Sequence, residues 1–161
     1  MSIVKTNVIQ TTAGKTILTS TGSTLQVVSN TANGGNSTTS STFQPSFLTA
    51  TITPTSSTSK ILIQFHAFAA INNNSAHVAW TIFRNNSVNL DYSNGILGMG
   101  NFIIGSPSGT IEGQATAVWL DSPATTSATT YTVYYKSYNN INTASFGGGR
   151  MASMVLEEIS A

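Results

Sequence analysis

The chain has 161 residues, no cysteine and a formal net charge of +1, and only 7% of its residues are charged, against about 25% in typical soluble domains. This length suits one domain with a hydrophobic core of its own. The composition excludes disulfides and thiolate chemistry, and six scattered Lys and Arg residues do not form the basic cluster that a nucleic-acid partner requires.

Residues 1–23 predict an extended N-terminal arm ahead of a domain at residues 24–161. The arm places short apolar pairs between Thr-rich and Gly-containing steps and cannot build a core of its own. Its aliphatic side chains are Ile3, Val4, Val8, Ile9, Ile17 and Leu18. Fully extended, it could reach about 75 Å at ~3.3 Å per residue and contact a neighbouring subunit. A disordered tail is the alternative, since chain termini are often poorly ordered.

The start of the chain lacks the basic-then-apolar pattern of a signal peptide. No run approaches the ~20 apolar residues of a membrane span. Both observations predict synthesis in the cytosol and no membrane partner.

The first half of the domain predicts a strand at residues 25–28, a polar loop at residues 29–42 and then two strands joined by a turn. Apolar and polar residues alternate at 48–53 and again at 60–65, which is the period of a strand. Pro54 withholds a backbone donor and the Ser/Thr run after it favours a loop. This pattern predicts a β-hairpin.

The next strands follow at short spacing. Val78, Trp80 and Ile82 alternate with polar or small residues, and Asn85-Asn86 predicts a tight turn into a further strand. Another alternation covers residues 111–119.

The chain closes with two more strands. Pro123 breaks the preceding strand, and residues 130–135 alternate again, with Tyr131 and Tyr135 on one face and Tyr134 on the other. Residues 151–159 predict a last strand, with a helix as the alternative because Met, Ala, Leu and Glu favour helices. About eight short strands without a helical period predict an all-β sandwich.

Several of these segments together resemble a known family. They are LQVV at 25–28, ITPTSSTSKILI at 52–63, a DSP loop with a TYTV strand at 121–133, and a closing strand that ends in EI at 158–159. In this order they resemble the jelly-roll domains of tailed-bacteriophage virion structural proteins, of the capsid decoration (cement) or tail-fibre type. The resemblance implies a single jelly-roll β-sandwich with an extended N-terminal arm, usually assembled as a trimer. Residues 86–108 and 139–149 match nothing in that family.

Residues that could carry catalysis or hold a metal are few. His66 and His77 each lie within a strand pattern and at no metal-binding spacing, which favours structural roles. The acids are Asp91, Glu112, Asp121, Glu157 and Glu158. A glycosidase pair could be drawn from Asp91 with Asp121 or Glu112, but solvated or capping roles are favoured. Residues 147–150, Gly-Gly-Gly-Arg, could cradle a phosphate, although a flexible loop is favoured.

Two sets of aromatic residues suggest other roles. Trp80 and Trp119 alternate with aliphatic residues, which favours core positions over sugar stacking. Tyr131, Tyr134, Tyr135 and Tyr138 crowd one strand on both faces. Because interface cores are enriched in tyrosine, they are candidates for a trimer contact, with Tyr spanning core and solvent as the alternative.

We therefore expect a homotrimeric cement protein on the capsid surface of the virion, assembled in the host cytoplasm. It would bridge neighbouring subunits of the major capsid protein, with the apolar residues of the arm as capsid contacts. This hypothesis needs no enzyme activity, no cofactor and no metal. The alternative is a tail-fibre or tail-tip module that binds a host surface glycan.

Overall fold

The computed structural model describes residues 8–10, 16–18, 21–72, 77–91, 98–103, 109–138 and 140–161, and every regular element within them is a β-strand. The strands are β1 (Val8–Gln10), β2 (Thr16–Leu18), β3 (Thr24–Thr38), β4 (Gln44–Ile52), β5 (Lys60–Asn72), β6 (His77–Arg84), β7 (Val88–Asn89), β8 (Gly100–Ile103), β9 (Thr110–Asp121), β10 (Thr129–Ser137) and β11 (Ala144–Ile159). The predicted all-β class is confirmed.

Strands β3 to β11 form two antiparallel sheets that pack as a sandwich. One sheet has the order β3-β11-β5-β9, and the other has the order β4-β10-β6-β7, with β8 also paired to β6. Strands β3 to β11 count as eight when β7 and β8 are taken as one position. Numbered in this way from β3, the first sheet has the order 1-8-3-6 and the second has the order 2-7-4-5. This order is the double Greek key of a jelly roll, as predicted.

The core lies between the inner faces of the two sheets. In β10 the side chains of Tyr131, Val133 and Tyr135 point inward and are buried, as the alternation predicts. They meet inward-facing residues of the other sheet, and the rings of Tyr135 and Phe146 lie 5.6 Å apart. The largest fully buried side chains are Tyr131, Tyr135, Phe146, Leu48, Ile52, Ile61, Ile63, Ile71, Ile82, Met154 and Leu156.

The predicted hairpin of β4 and β5 is wrong. Both strands exist, but β4 pairs with β10 in one sheet while β5 pairs with β11 and β9 in the other. The segment around Pro54 is therefore a corner that carries the chain from one sheet to the other. A proline and a Ser/Thr run end a strand equally well at a corner and in a hairpin, so the local sequence does not distinguish them.

The polar loop predicted at residues 29–42 is also wrong over most of its length. β3 continues to Thr38 and pairs with β11 as far as Ala144. Polar Asn, Ser and Gly residues remain in a strand here because β11 supplies a hydrogen-bonding partner along nearly the whole length. The strand predicted at residues 151–159 is confirmed as the second half of β11.

The tight turn at Asn85-Asn86 is confirmed. Both asparagines have positive φ, 50° and 55°, which is the type I′ geometry that joins two antiparallel strands with matching twist. β6 and β7 pair across it, through Phe83 with Asn89 and Arg84 with Val88.

The N-terminal strands form a separate ribbon. β1 and β2 are antiparallel, with Ile9 opposite Ile17, and neither pairs with another described strand. Further along the chain, the Gly22 N–H donates to the Ser160 carbonyl at 2.8 Å and the Ser160 N–H donates to the Ser23 carbonyl at 2.9 Å. These two bonds fix residues 22–23 beside the end of β11. The boundary predicted after residue 23 stays a prediction.

Trp80 gives a direct test of this core. Its side chain is buried, its indole N–H donates to the Thr116 carbonyl at 3.1 Å, and its ring meets Phe102 edge-on at 5.0 Å. We expect Trp80→Ala to lower the free energy of unfolding by about 3–5 kcal/mol, because the change loses transfer energy and leaves a cavity. Urea unfolding measures it. The exposed Val88→Ala is the matched control, expected within about 0.5 kcal/mol of the parent, and an equal effect of the two variants would contradict this packing.

Candidate interaction surfaces

A partly buried ion pair occupies the end of the sandwich at which β6 and β9 finish. Arg84 Nη1 donates to both carboxylate oxygens of Asp121, at 2.9 and 2.8 Å, and the Tyr131 hydroxyl donates to Oδ2 at 2.7 Å. Burial, together with this bond to the Asp121 carboxylate, raises the pKa of Tyr131 well above its ordinary value. Arg84 and Tyr131 thus engage both oxygens of Asp121, which gives this carboxylate a structural role.

A second buried carboxylate ties three elements together. Glu158 of β11 accepts hydrogen bonds from Gln26 Nε2 at 2.6 Å and from the backbone N–H and hydroxyl of Thr55, each at 2.8 Å. Burial alone would raise the pKa of Glu158, but the bonds from Gln26 and Thr55 outweigh it and hold the pKa below its ordinary value. The charged carboxylate therefore fastens the β4–β5 corner to β3 and β11.

The remaining candidates for acid–base chemistry or metal binding lie apart. Glu112 forms an ion pair with Arg150 at 3.4 Å, and both side chains are exposed. Asp91 follows β7 and acts electrostatically on Lys136 of β10. His66 is exposed on β5, whereas the His77 ring stacks on Tyr138 at 4.7 Å. Among the described residues, no group of three His, Asp or Glu side chains could hold a metal ion.

The three glycines at residues 147–149 form a bulge in β11 and all have positive φ. Pairing with β3 is interrupted between Phe146 and Arg150. A Cβ on Gly147 would lie 2.3 Å from the Gly34 carbonyl oxygen and from the Phe47 ring, so only glycine fits there. Arg150 lies 3.6 Å over the Phe68 ring. These contacts give the Gly-Gly-Gly-Arg segment a packing role.

Two of the four tyrosines proposed for a trimer contact lie inside the chain's own core. Tyr131 and Tyr135 are fully buried between the sheets, so their side chains have no surface to offer a second subunit, and this part of the prediction is corrected. Tyr134 lies on the outer face of β10 and stacks on Phe83 at 4.0 Å. Tyr138 is 46% exposed. A role of Tyr134 and Tyr138 in a subunit contact stays a prediction.

The structure places the tryptophans as predicted. Trp80 belongs to the core cluster, and Trp119 packs against it while partly buried. Of the apolar residues proposed as capsid contacts, Val8, Ile9, Ile17 and Leu18 belong to the β1–β2 ribbon, and Ile3 and Val4 lie outside the described residues. Their role in capsid contact stays a prediction.

The outer face of the β3-β11-β5-β9 sheet carries apolar side chains that face solvent. Val118 is 66% exposed, Val27 58% and Leu120 50%. Leu62 is directly opposite Leu120, and Glu157 stands between Leu62 and Val27 in the same row of the sheet. We call Val27, Leu62, Val118 and Leu120 the outer patch. Exposed apolar groups of this kind mark interaction surfaces in soluble proteins.

The outer patch was not predicted from the sequence, although the sequence carries a signal for it. An antiparallel strand with one buried and one solvent-exposed face alternates apolar and polar residues. In β5 the run Ile61-Leu62-Ile63 is apolar at consecutive positions, and residues 117–120 of β9 are apolar throughout. Since neither strand is covered on its outer face by another described strand, the extra apolar residues must face outward.

Comparisons with known proteins identify no family. No family model and no curated protein sequence matches the chain. Among solved structures, the chain is similar to the crystal structure of the infectious bursal disease virus VP2 subviral particle, at 12% sequence identity and a TM-score of 0.28. The match covers 86% of this chain and 38% of the VP2 chain. This is a weak structural similarity to a viral capsid protein. Within the described residues, no helix is long and apolar enough to cross a membrane.

Glu158 predicts an acid-sensitive step in stability. Because the folded state holds the pKa of Glu158 below the ordinary value of 4.5, the carboxylate stabilises the fold above pH 4.5. This stabilisation is lost as the pH falls through the lower folded pKa. We expect Glu158→Gln to lower the free energy of unfolding at pH 7 by about 1–3 kcal/mol, since bonds to a charged group are replaced.

The measurement is urea unfolding between pH 7 and pH 2.5. The variant should lose less stability than the parent on acidification. Glu157→Gln, at the neighbouring position on the outer face, is the control and should follow the parent curve. Parallel curves for the parent and Glu158→Gln would contradict the role of this carboxylate.

Proposed function

We propose that the chain is a bacteriophage virion structural protein, a homotrimeric decoration or cement protein that bridges neighbouring subunits of the major capsid protein. The single observation that supports it most is the jelly-roll strand order, found in a chain whose segments at 25–28, 52–63, 121–133 and 158–159 resemble phage virion jelly rolls in the same order. On this proposal the function is adhesion.

The described surface supports adhesion over chemistry. Asp121 and Glu158 are engaged in buried hydrogen bonds, and Glu112 is paired with Arg150. The outer face of the β3-β11-β5-β9 sheet instead offers Val, Leu, Ser and Thr side chains with few charges. A neutral surface of this kind gives little long-range repulsion between copies, so it tolerates dense packing on a shell.

Attachment on this proposal uses the N-terminal arm. The β1–β2 ribbon pairs with no other described strand, and a two-stranded ribbon is at best marginally stable alone in water. A capsid groove or sheet edge would provide the missing partner. Residues 22–23 are bonded to Ser160, so the arm leaves the domain from a fixed point beside β11.

A second candidate function is glycan binding at a tail tip. It is favoured by the stacked pair of His77 and Tyr138, because the Tyr138 ring is partly exposed at the end of the sandwich where β6 begins and β10 ends. Exposed aromatic rings can stack on sugars. Labelling this chain on intact virions distinguishes the two, since a cement protein covers the head and a fibre module marks only the tail.

The oligomeric state tests the first part of the proposal. We expect native mass spectrometry at micromolar concentration to show a homotrimer or a multiple of three subunits. Tyr134 and Tyr138 remain candidates for this contact, and Tyr138→Ser should weaken the trimer while Tyr135→Phe, in the core, should not. A chain that stays monomeric, or forms only dimers, would contradict the trimer.

Capsid attachment tests the second part. Each buried aliphatic side chain of the arm contributes about 1.5–3 kcal/mol in gross terms. Three arms on one trimer act together, and such avidity strengthens binding by about 10² to 10⁴. We expect deletion of residues 1–20 to leave the melting temperature nearly unchanged but to abolish co-sedimentation with capsids that lack their own copy.

A matched variant isolates the apolar residues of the arm. The full-length chain with Val8, Ile9, Ile17 and Leu18 changed to Ser keeps the length of the arm and should also fail to co-sediment. Equal retention of the truncated, substituted and parent proteins would show that the arm is passive, and attachment would then have to use the sandwich.

A further inference from the structure

Within the described residues, the two edges of the β3-β11-β5-β9 sheet differ in their contacts. On the β3 side, the amide of Gln26 donates to the Thr53 carbonyl and that of Asn30 to the Thr49 carbonyl, both at 2.7 Å. These bonds tie β3 to β4 at the corner of the sandwich. On the β9 side, Phe102 of β8 lies against Gly113, in the first part of the strand.

The second part of β9 has backbone groups that point away from the sheet. The Thr116 carbonyl accepts the Trp80 indole N–H, so it points away from β5. Backbone groups of alternate residues in an antiparallel strand point to the same side. The N–H and C=O groups of Val118 and Leu120 therefore face outward, and within the described part of the chain nothing pairs with them there.

This edge also lacks the features that keep sheet edges from pairing. Natural edges are blunted by Lys, Pro, bulges or short strands. β9 has 12 residues, no Lys and no Pro, and its register with β5 runs without interruption from Asn72–Thr110 to Ile61–Asp121. The side chains of Val118 and Leu120 are exposed beside it. The edge is thus a template for another strand.

We propose that the segment 117–121 of β9 pairs antiparallel with the same segment of a second copy, about a two-fold axis at Trp119. In this arrangement Val118 of each copy lies opposite Leu120 of the other, and both pairs join Leu62 in one apolar cluster. Asp121 is neutralised by Arg84, and the net charge is only +1, so two copies meet without strong repulsion. The match of the segment to itself favours a second copy as the occupant.

The end of β2 nearest the domain does not reach this place. Residues 22–23 are held beside β11 on the β3 side, and a strand beyond β9 lies four strand spacings from β3, about 19 Å. The four steps from Gly22 back to Leu18 span about 13 Å at full extension. Leu18 therefore falls short of this edge.

Single-cysteine variants test the pairing, because the chain has no cysteine of its own. Residues opposite each other in a hydrogen-bonded pair have Cα atoms about 5.5 Å apart, within disulfide range. Under mild oxidation, a mixture of Val118→Cys and Leu120→Cys chains should form a disulfide-linked dimer, and each variant alone should form much less. Val27→Cys, comparably exposed on the same face but on β3 at the opposite edge of the sheet, is the control for random cross-linking.

Association in solution gives the second measurement. Sedimentation velocity of the parent should show an associated species whose amount rises with concentration. Val118→Lys should remove this species without changing the melting temperature, whereas Val27→Lys should leave the species in place. If the chain also forms trimers, the change is from hexamer to trimer, so this contact is tested independently of the proposed function. Cross-linking no greater in the mixture than in the Val27→Cys control, or a Val118→Lys chain that associates like the parent, would overturn the proposal.

Discussion

The fold depends on the position of the last strand. β11 lies between β3 and β5, so the β3-β11-β5-β9 sheet has no continuous ladder until the end of the chain is in place. Glu158 near its end then joins Gln26 of β3, 132 residues away in sequence, and Thr55 in the β4–β5 corner. Pairings of such long range are slow to form, because the entropy of loop closure must be overcome before any contact stabilises the sheet. The buried carboxylate thus joins three elements that lie far apart in sequence.

The sequence could predict strands much better than it could predict their partners. Alternation in residues 130–135 correctly placed Tyr131 and Tyr135 on one face and Tyr134 on the other. The same kind of pattern around Pro54 suggested a hairpin, yet β4 and β5 belong to different sheets. Alternation is a property of one strand, whereas pairing depends on residues far away in sequence. In β3 the local pattern predicted a loop at residues 29–38, but these polar residues form a strand because they pair with β11.

The role of a polar or aromatic side chain was equally hard to predict. Four tyrosines near one strand suggested a subunit contact, but a buried tyrosine needs only one hydrogen-bond partner to be stable in a core. Asp121 provides it for Tyr131, and Arg84 in turn compensates the charge of Asp121. These three residues come from three different strands, so no local sequence pattern predicts the cluster. The resemblance to phage jelly rolls predicted the strand order, which the local patterns could not.

The small number of charged residues explains how the sheet edges of this chain are kept from pairing with another strand. Proteins with ordinary numbers of lysines can place a charge on every sheet edge, but only 7% of the residues here are charged. Here the amides of Gln26 and Asn30 and the indole N–H of Trp80 have this role instead of charged groups. Each donates a hydrogen bond to a backbone carbonyl at the border of a sheet. Such a donor works only where a carbonyl lies within about 3 Å, unlike a charge, which acts over a Debye length of roughly 8–10 Å. Edge protection by amides is therefore local, and among the described residues no side-chain donor of this kind bonds to the backbone of Val118 or Leu120.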